Sequence, residues 1–488
     1  MKEASLARRS ITSVSWNVVA NAGKIVILFV RSVMLARLLP VETFGVYALA
    51  GSVIGLTGML PKFGMAGAFL HRARETEDEA QAAAVHFTLK LLFTILWVVL
   101  LVGGAFLFTD GETRLALVVL ALATGGLELS QTPRLILMRR VVHRRLALIQ
   151  LLNAALTTTV ALGLAWRGVT LWALLATNLT TFLLNTIALY VWRPVWRPRL
   201  AWSPPAMRYF LRFGSRNLLG TVLLRALDRV DDLWTGVFLG KSPLGFYSRA
   251  YTFATYPREV LATPVNTVAG GTYAELKGDR RRLSQAFFRV NAFLVRSGFL
   301  FAGVLWLVAP EFIRLLLGAK WLPMLSAFRL MLVFTLFDPM KLTVANLFIA
   351  VGRPEQIVWA RTAQLAVMVG GLFLLGPPLG ITGVALAVDV MLVVGIALLF
   401  WMARAHVDFS LGRLFAAPGV ALAAGVLLGY GAGRLPAVTA SDWTSGLAKG
   451  VVFAVVYGLI LLALERRQLL EMLAGVRRSL PGVRGSNA

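Results

Sequence analysis

Long apolar stretches follow one another along almost the whole chain, each bounded by charged residues or by a turn containing Pro or Gly. A helix of about 20 residues crosses the roughly 30 Å of bilayer hydrocarbon, and most of these stretches reach that length. The alternating pattern of a membrane β-strand is not seen in the sequence. The pattern therefore predicts an all-α polytopic membrane protein with about fourteen transmembrane helices. We expect them at residues 13–38, 44–70, 83–108, 115–138, 146–166, 169–192, 211–239, 244–273, 285–309, 321–350, 355–376, 379–402, 413–434 and 444–464.

An internal repeat divides this series of helices. The segment LARLLPVETFGVYALA (35–50) aligns without a gap with TGVFLGKSPLGFYSRA (235–250). Each segment would form the turn between the first two helices of a six-helix unit, so the units would run parallel, related by a pseudo-two-fold axis along the membrane normal. The alternative is a chance similarity of two Gly-containing turns. The repeat predicts an N-lobe, a C-lobe and an appended helix pair with a basic tail, at residues 1–200, 201–410 and 411–488.

The composition supports a membrane protein, and the positions of the basic residues account for its net positive charge. The chain is 58% hydrophobic, with a mean hydropathy of +0.74 and a net charge of +26. Much of the basic excess lies in short connections on one side of the predicted helices, as in RRVVHRR (139–145) and KGDRRR (277–282). The positive-inside rule then places both termini in the cytoplasm, and the charge does not require nucleic acid as a partner.

Several kinds of chemistry are excluded by the residues present. The chain has no cysteine and four scattered histidines, which predicts no metal site and no cofactor. No phosphate-binding G-x-x-x-x-G-K-[ST] motif is present, and no connection is long enough for a catalytic domain. The sequence therefore favours a protein that is not an enzyme, with H⁺ or Na⁺ as a possible coupling ion.

Polar side chains interrupt the first predicted helix on one face. Asn17, Asn21, Lys24 and Arg31 share that face at about 100° per residue. A cation at the bilayer centre costs roughly 2.5–3.5 kcal/mol, so such residues usually face a bundle interior or a watery cavity. We expect the two asparagines to line a cavity in which the two cations meet an anion. Snorkelling towards the helix ends is the alternative.

The seventh predicted helix carries the run RALDRVDD, with Arg225, Asp228, Arg229, Asp231 and Asp232. Two interpretations are open. The i,i+3 pairs of opposite charge can neutralise each other as packing contacts between helices. In a hydrated site, the arginines can instead exchange a carboxylate for a substrate phosphate, and a carboxylate can bind H⁺ or Na⁺.

A further cation, Arg296, lies deep in the ninth predicted helix, on one face with Gln285 and Arg289. Together with the cations of the first and seventh helices, it is predicted to bind an anionic cargo.

Three stretches carry a family resemblance: ARLLPVETFGVYALA, DDLWTGVFLGKSPLGFYSRAY and TYAELKGDRRRLSQAFFRV. With them the chain resembles the polysaccharide transporters, the O-antigen and exopolysaccharide flippases of the multidrug/oligosaccharidyl-lipid/polysaccharide superfamily. The resemblance implies a bacterial inner-membrane protein that moves undecaprenyl-pyrophosphate-linked oligosaccharide by alternating access. It also implies a polysaccharide polymerase and a chain-length regulator as partners.

The same resemblance implies roles for particular residues. Lys24, Arg31, Arg225 and Arg229 correspond by place to cations that meet the pyrophosphate in family members, and Asp231 occupies the family's acidic position. Arg229 and Asp232 stand where Asn is common in the family. This departure puts any ion site in question.

Other functions stay open at this point. A lipid II flippase would share the fourteen helices and the cationic cavity. A multidrug antiporter of the same fold is less favoured, because an excess of arginine disfavours organic cations. A glycosyltransferase, polymerase or ligase would need acidic catalytic residues near a sizeable external loop, and the sequence offers none.

Overall fold

The structure, a computed structural model, describes residues 23–71, 79–140, 142–436 and 441–479. Across these residues the regular structure is entirely helical, which confirms the predicted all-α class. The chain forms two compact units, Met1–Ser248 (unit 1) and Arg249–Ala488 (unit 2). We describe each unit by itself.

The first described helix of unit 1 is α1, at residues 23–38. Nine further helices and one π-helical turn follow, up to α10, which contains the charged run RALDRVDD. They are α2 (Val41–Thr57), α3 (Met59–Lys62), α4 (Met65–His71), α5 (Glu79–Phe108), α6 (Gly111–Leu129), α7 (Gln131–Arg139), α8 (His143–Trp166), α9 (Thr170–Thr186), the π-turn Ile187–Val191, and α10 (Pro204–Phe238). A further helix, α11 (Lys241–Pro257), begins in this unit.

The repeated turns of the sequence meet in unit 1 through a reciprocal backbone contact. A Cβ atom on Gly45 of α2 would lie 1.8 Å from the carbonyl oxygen of Lys241, and one on Gly245 of α11 would lie 2.3 Å from that of Val41. Only glycine leaves room for helices to approach this closely. The two glycines that align in the sequence repeat therefore hold the starts of α2 and α11 against each other.

Unit 2 contains the remaining helices. They are the π-turn Arg258–Ala262, α12 (Thr263–Leu276), α13 (Arg280–Leu307), α14 (Ala309–Phe312), the π-turn Ile313–Leu317, the 3₁₀-helix Ala319–Met324, α15 (Leu325–Ala350), α16 (Glu355–Ala403), α17 (Leu411–Ala432) and α18 (Asp442–Ser479). The carboxylate of Glu311 accepts a 2.5 Å hydrogen bond from Lys449 Nζ, which ties α14 to α18.

The 49-residue α16 is a helical hairpin. Its backbone leaves helical geometry at Gly380, where φ is 58° and ψ is −140°, two residues after the pair Pro377 and Pro378. The two arms then run side by side, since a Cβ on Gly371 would lie 2.9 Å from the Cβ of Ala387. This turn separates the two helices predicted at 355–376 and 379–402.

Ten described helical segments are long and apolar enough to cross a membrane. They are Val41–Lys62, Glu79–Phe108, Gly111–Arg139, Arg144–Trp166, Thr170–Val191, Arg280–Leu307, Ala319–Ala350, Glu355–Ala403, Leu411–Ala432 and Asp442–Arg466. Large apolar side chains also point outwards; Val99 and Leu100 of α5, for example, are 62% and 61% exposed. The protein is thus a multi-pass membrane protein. The count of fourteen helices and the pseudo-two-fold axis stay predictions.

The predicted lobe boundaries at residues 200 and 410 also stay a prediction. By its contacts α10 belongs with unit 1, whereas the sequence repeat would assign this helix to the second lobe.

The reciprocal glycine contact gives a test of the fold. Gly45→Ala places a methyl group on a backbone carbonyl, and overpacking of this kind costs about 1–3 kcal/mol. We expect a lower melting temperature of the detergent-purified protein, measured by tryptophan fluorescence.

Gly51→Ala is the matched control, because it lies on the same helix and its Cβ would have nothing within 4 Å. Equal melting temperatures for the two variants would contradict the close contact.

Candidate functional site

The charged run of α10 forms two loose ion pairs along the helix. Arg225 Nη1 lies 3.9 Å from Asp228 Oδ2, and Arg229 Nη1 lies 3.4 Å from Asp232 Oδ2. The side chains of Arg225 and Arg229 are 39% and 41% exposed. The exposed Arg225–Asp228 pair contributes little to stability at this distance, and the Arg229–Asp232 pair, whose carboxylate is buried, is also longer than a strong ion pair. Both guanidinium groups therefore keep donor positions that another anion can use.

The two adjacent acids behave differently from Asp228 because they are buried. Asp231 is 6% exposed, and its Oδ2 accepts a 2.6 Å hydrogen bond from the hydroxyl of the buried Tyr247. Its Oδ1 has no hydrogen-bond partner in the part of the chain that the structure describes. Asp232 is 8% exposed and lies next to the hydroxyl of Ser52 on α2. These contacts fix both carboxylates on the inner side of α10.

Helix α2 supplies the surface on which the Arg229 side chain lies. A Cβ on Gly55 would be 3.0 Å from Nε and 3.1 Å from Cγ of Arg229. Gly55 lies one helical turn after Ser52, so the same face of α2 meets Asp232 and Arg229 in succession. A small residue at position 55 is what allows the guanidinium to lie beside the helix.

When every group is ionised, this cluster carries a net negative charge, which does not suit the binding of an anion. Two guanidinium groups stand against three carboxylates, namely Asp228, Asp231 and Asp232. The sum is one net negative charge. Binding of an anion here is therefore favoured by protonation of the carboxylates or by a bound cation.

The predicted stripe of the first helix is described only in part. Arg31 Nη1 donates a 3.1 Å hydrogen bond to Thr157 Oγ1 of α8, and Lys24 is half-buried. The described contacts thus place α1 along α8. Asn17 and Asn21 lie outside the described residues. A common phosphate path from Lys24 and Arg31 to the α10 cations stays a prediction.

Arg296 lies in unit 2 in a buried ion pair. Its Nε and Nη2 lie 2.8 and 2.6 Å from the two carboxylate oxygens of Glu465 on α18, and the two side chains are 5% and 10% exposed. Nη1 also donates to the carbonyl of Ala292 at 2.9 Å, and Tyr457 donates to the carbonyl of Arg296 at 2.8 Å. In this conformation Arg296 joins α13 to α18. Its predicted contact with phosphate stays a prediction.

Sequence reasoning missed a third charged cluster, in unit 1. Lys90 of α5 is fully buried, and its Nζ lies 2.5 Å from Glu128 Oε2 of α6. Lys62 Nζ lies 3.6 Å from the other oxygen of the same carboxylate. The sequence does carry a signal for this pair, because two consecutive apolar stretches each contain a charged residue, Lys90 in the first and Glu128 of opposite sign in the second.

The family model described as "Polysaccharide biosynthesis protein" matches residues 34–326. The succinoglycan biosynthesis transport protein ExoT of Rhizobium meliloti (strain 1021) is 25% identical over 64% of each chain. The lipopolysaccharide biosynthesis protein WzxC of Escherichia coli (strain K12) is 23% identical over 72% of each chain. The chain therefore spans slightly less than two thirds of the length of ExoT.

Solved structures share the fold. The lipid II flippase MurJ in an inward closed conformation superposes with a TM-score of 0.73 at 13% identity, covering 94% of this chain and all of MurJ. An inward-facing multidrug resistance transporter of the MATE family gives 0.62 at 17% identity, covering 78% of this chain and 94% of its own. At these identities the likeness shows the fold alone.

The buried ion pair between α13 and α18 can be tested by stability. Removing one partner leaves an uncompensated buried charge, which typically costs about 3–5 kcal/mol. We therefore expect Arg296→Met to lower the melting temperature strongly, as measured by thermal unfolding of the purified protein.

The double variant Arg296→Met with Glu465→Leu removes both charges and should recover most of that loss. A single variant as stable as the parent protein would show that the pair does not form.

Proposed function

Because this chain belongs to the polysaccharide biosynthesis protein family, we propose that it is a flippase for undecaprenyl-pyrophosphate-linked oligosaccharide repeat units. It would carry them across the bacterial inner membrane by alternating access, for O-antigen, capsule or exopolysaccharide synthesis, with both termini in the cytoplasm. ExoT and WzxC are named for succinoglycan biosynthesis transport and lipopolysaccharide biosynthesis, and both support this class of cargo. A polysaccharide polymerase and a chain-length regulator are the expected partners.

The observation that carries the proposal is the pair of half-exposed guanidinium groups on α10. Arg225 and Arg229 lie one helical turn apart and hold their carboxylates only loosely, at 3.9 and 3.4 Å. A guanidinium binds phosphate oxygens in a bidentate manner and is weakly hydrated, which suits a headgroup that must leave water. A pyrophosphate could therefore displace Asp228 and Asp232 and bind both arginines.

Coupling to an ion would follow from the charge balance of the same cluster. A pyrophosphate adds negative charge to a run that already has one carboxylate in excess. Uptake of H⁺ or Na⁺ by Asp228, Asp231 or Asp232 would remove the repulsion, and release of the ion would expel the anion. The buried Asp231, with one oxygen hydrogen-bonded to Tyr247 and the other without a partner among described residues, is the best placed of the three.

The main alternative is a lipid II flippase, the function of MurJ, whose fold this chain shares. Both cargoes carry a pyrophosphate on the same kind of lipid, so the α10 arginines would act in the same way. The alternatives differ in what accumulates when the protein is inactive: an oligosaccharide unit or a peptidoglycan precursor. The MATE-like antiporter is less favoured, because ExoT and WzxC are both named for polysaccharide biosynthesis.

Removing both arginines tests the proposal. We expect Arg225→Ala with Arg229→Ala to weaken binding of undecaprenyl pyrophosphate to the purified protein at least about tenfold, since 1.4 kcal/mol is a factor of ten. In the native host the variant should lose surface polysaccharide and accumulate the lipid-linked unit, measured by mass spectrometry of extracted lipids.

Arg197→Ala with Arg199→Ala is the matched control, because both arginines are exposed in the connection before α10. If the α10 double variant bound the pyrophosphate lipid as the control does and still made polymer, the proposal would be wrong. Accumulation of a peptidoglycan precursor would select the lipid II alternative.

The support that α2 gives to Arg229 can be tested without removing a charge. Gly55→Val places a branched side chain where the guanidinium stem now lies, so Arg229 must move. We expect several-fold weaker binding of undecaprenyl pyrophosphate with little change in melting temperature. Gly51→Val, one turn earlier and with open space around its Cβ, should bind as the parent protein does. Equal binding by the two variants would contradict this role of α2.

A further inference from the structure

An acidic side chain of unit 2 is buried without a hydrogen-bonded counter-charge among the described residues. Asp389, in the second arm of the α16 hairpin, is 6% exposed. Within the described ranges, neither of its carboxylate oxygens has a hydrogen-bond partner. A buried polar group is almost always hydrogen-bonded, so this exception requires a physical explanation.

The position of Asp389 in the hairpin rules out escape to water. Asp389 lies nine residues after the turn at Gly380 and fourteen before the end of the arm at Ala403. At 1.5 Å per residue these distances are roughly 13 and 21 Å, which places the carboxyl near the middle of about 30 Å of hydrocarbon. Its side chain has a single methylene and cannot snorkel to either surface, as Lys and Arg do.

The charged groups on the neighbouring helices are engaged elsewhere. On α15, Asp338 binds Arg258 and Lys341 at 2.8 Å each, and Arg329 Nε donates to the carbonyl of Trp306. The arms of α16 also carry Glu355 and Arg361. Within the described part of unit 2, none of these groups is a hydrogen-bond partner of either Asp389 oxygen.

An ionised carboxylate without a partner at this depth would be strongly destabilised, whereas a neutral carboxylic acid would not. A metal cation such as Na⁺ needs several oxygen ligands around it, and within the described ranges Asp389 belongs to no group of three or more His, Cys, Asp or Glu side chains that could hold one. The proton is the cation that a single carboxyl can bind alone.

We propose that Asp389 is a proton-binding site, occupied in this conformation and emptied when the α16 hairpin opens to water. The carboxylate takes one proton from the water on one side of the membrane and returns it to the other side. The claim that this step drives translocation rests on the proposed function. The claim that Asp389 is protonated is independent of it. The site is separate from the α10 cluster, which lies in unit 1.

Infrared spectroscopy of the purified full-length protein tests protonation directly. A spectrum of the parent protein minus that of Asp389→Asn, at neutral pH, should show the carbonyl stretching band of a protonated carboxylic acid. The same difference taken with Asp408→Asn should not, because Asp408 is 73% exposed and binds Arg280 at 2.9 Å. Hydrogen bonding to the Arg280 guanidinium lowers the pKa of Asp408, which keeps this control ionised.

Asparagine closely matches a neutral aspartic acid in size and charge, so Asp389→Asn should melt near the temperature of the parent protein. Absence of the difference band, or a large loss of stability in Asp389→Asn, would overturn the assignment.

Proton flux tests the coupling. Proteoliposomes containing undecaprenyl pyrophosphate and an internal pH-sensitive dye should dissipate an imposed pH gradient with the parent protein and with Asp408→Asn. With Asp389→Asn the flux should fall at least about tenfold, although the lipid still binds. Flux unchanged in Asp389→Asn would overturn the coupling role. A parent protein that binds no pyrophosphate would overturn the proposed function, while the infrared result on Asp389 would stand.

Discussion

A charge inside the hydrocarbon is stable only with a partner, and this constraint decides where the helices of the protein can meet. Lys90 and Glu128 join α5 to α6, Arg296 and Glu465 join α13 to α18, and Lys449 and Glu311 join α18 to α14. Each pair is short and buried, so separating its helices would expose both charges to lipid. The apolar side chains around these pairs could pack in many arrangements of the helices, whereas each ion pair forms only when its two helices are neighbours.

Charged residues that lack a short, buried ion pair are the candidates for binding a ligand or an ion. The α10 arginines are about 40% exposed and hold their carboxylates at longer distances than the buried pairs do. Asp389 has no partner among the described residues at all. A structural cation such as Arg296 and a candidate binding cation such as Arg229 thus differ in exposure and in the quality of their pairing, although both are arginines in apolar helices.

Features that depend on nearby residues could be predicted from the sequence. The helix expected at 83–108 is found at Glu79–Phe108, the hairpin of α16 turns at Gly380, next to the break expected between 355–376 and 379–402, and the i,i+3 pairs of α10 follow from helical spacing. Contacts between distant helices could not be predicted in this way. The bond of Arg31 to Thr157, the pairing of Arg296 with Glu465 and the place of Gly55 beneath Arg229 depend on which helices are neighbours. One sequence alone does not contain that information.

The reciprocal contact of Gly45 and Gly245 resembles an isologous interface, because each glycine meets a backbone carbonyl at the start of the other helix. Homodimers use such interfaces between separate subunits, but here both surfaces belong to one chain. Each position of a single chain mutates on its own, so side chains on the two surfaces need not match. Where backbone meets backbone there is no side chain to exchange, and both glycines are needed for the helices to approach this closely.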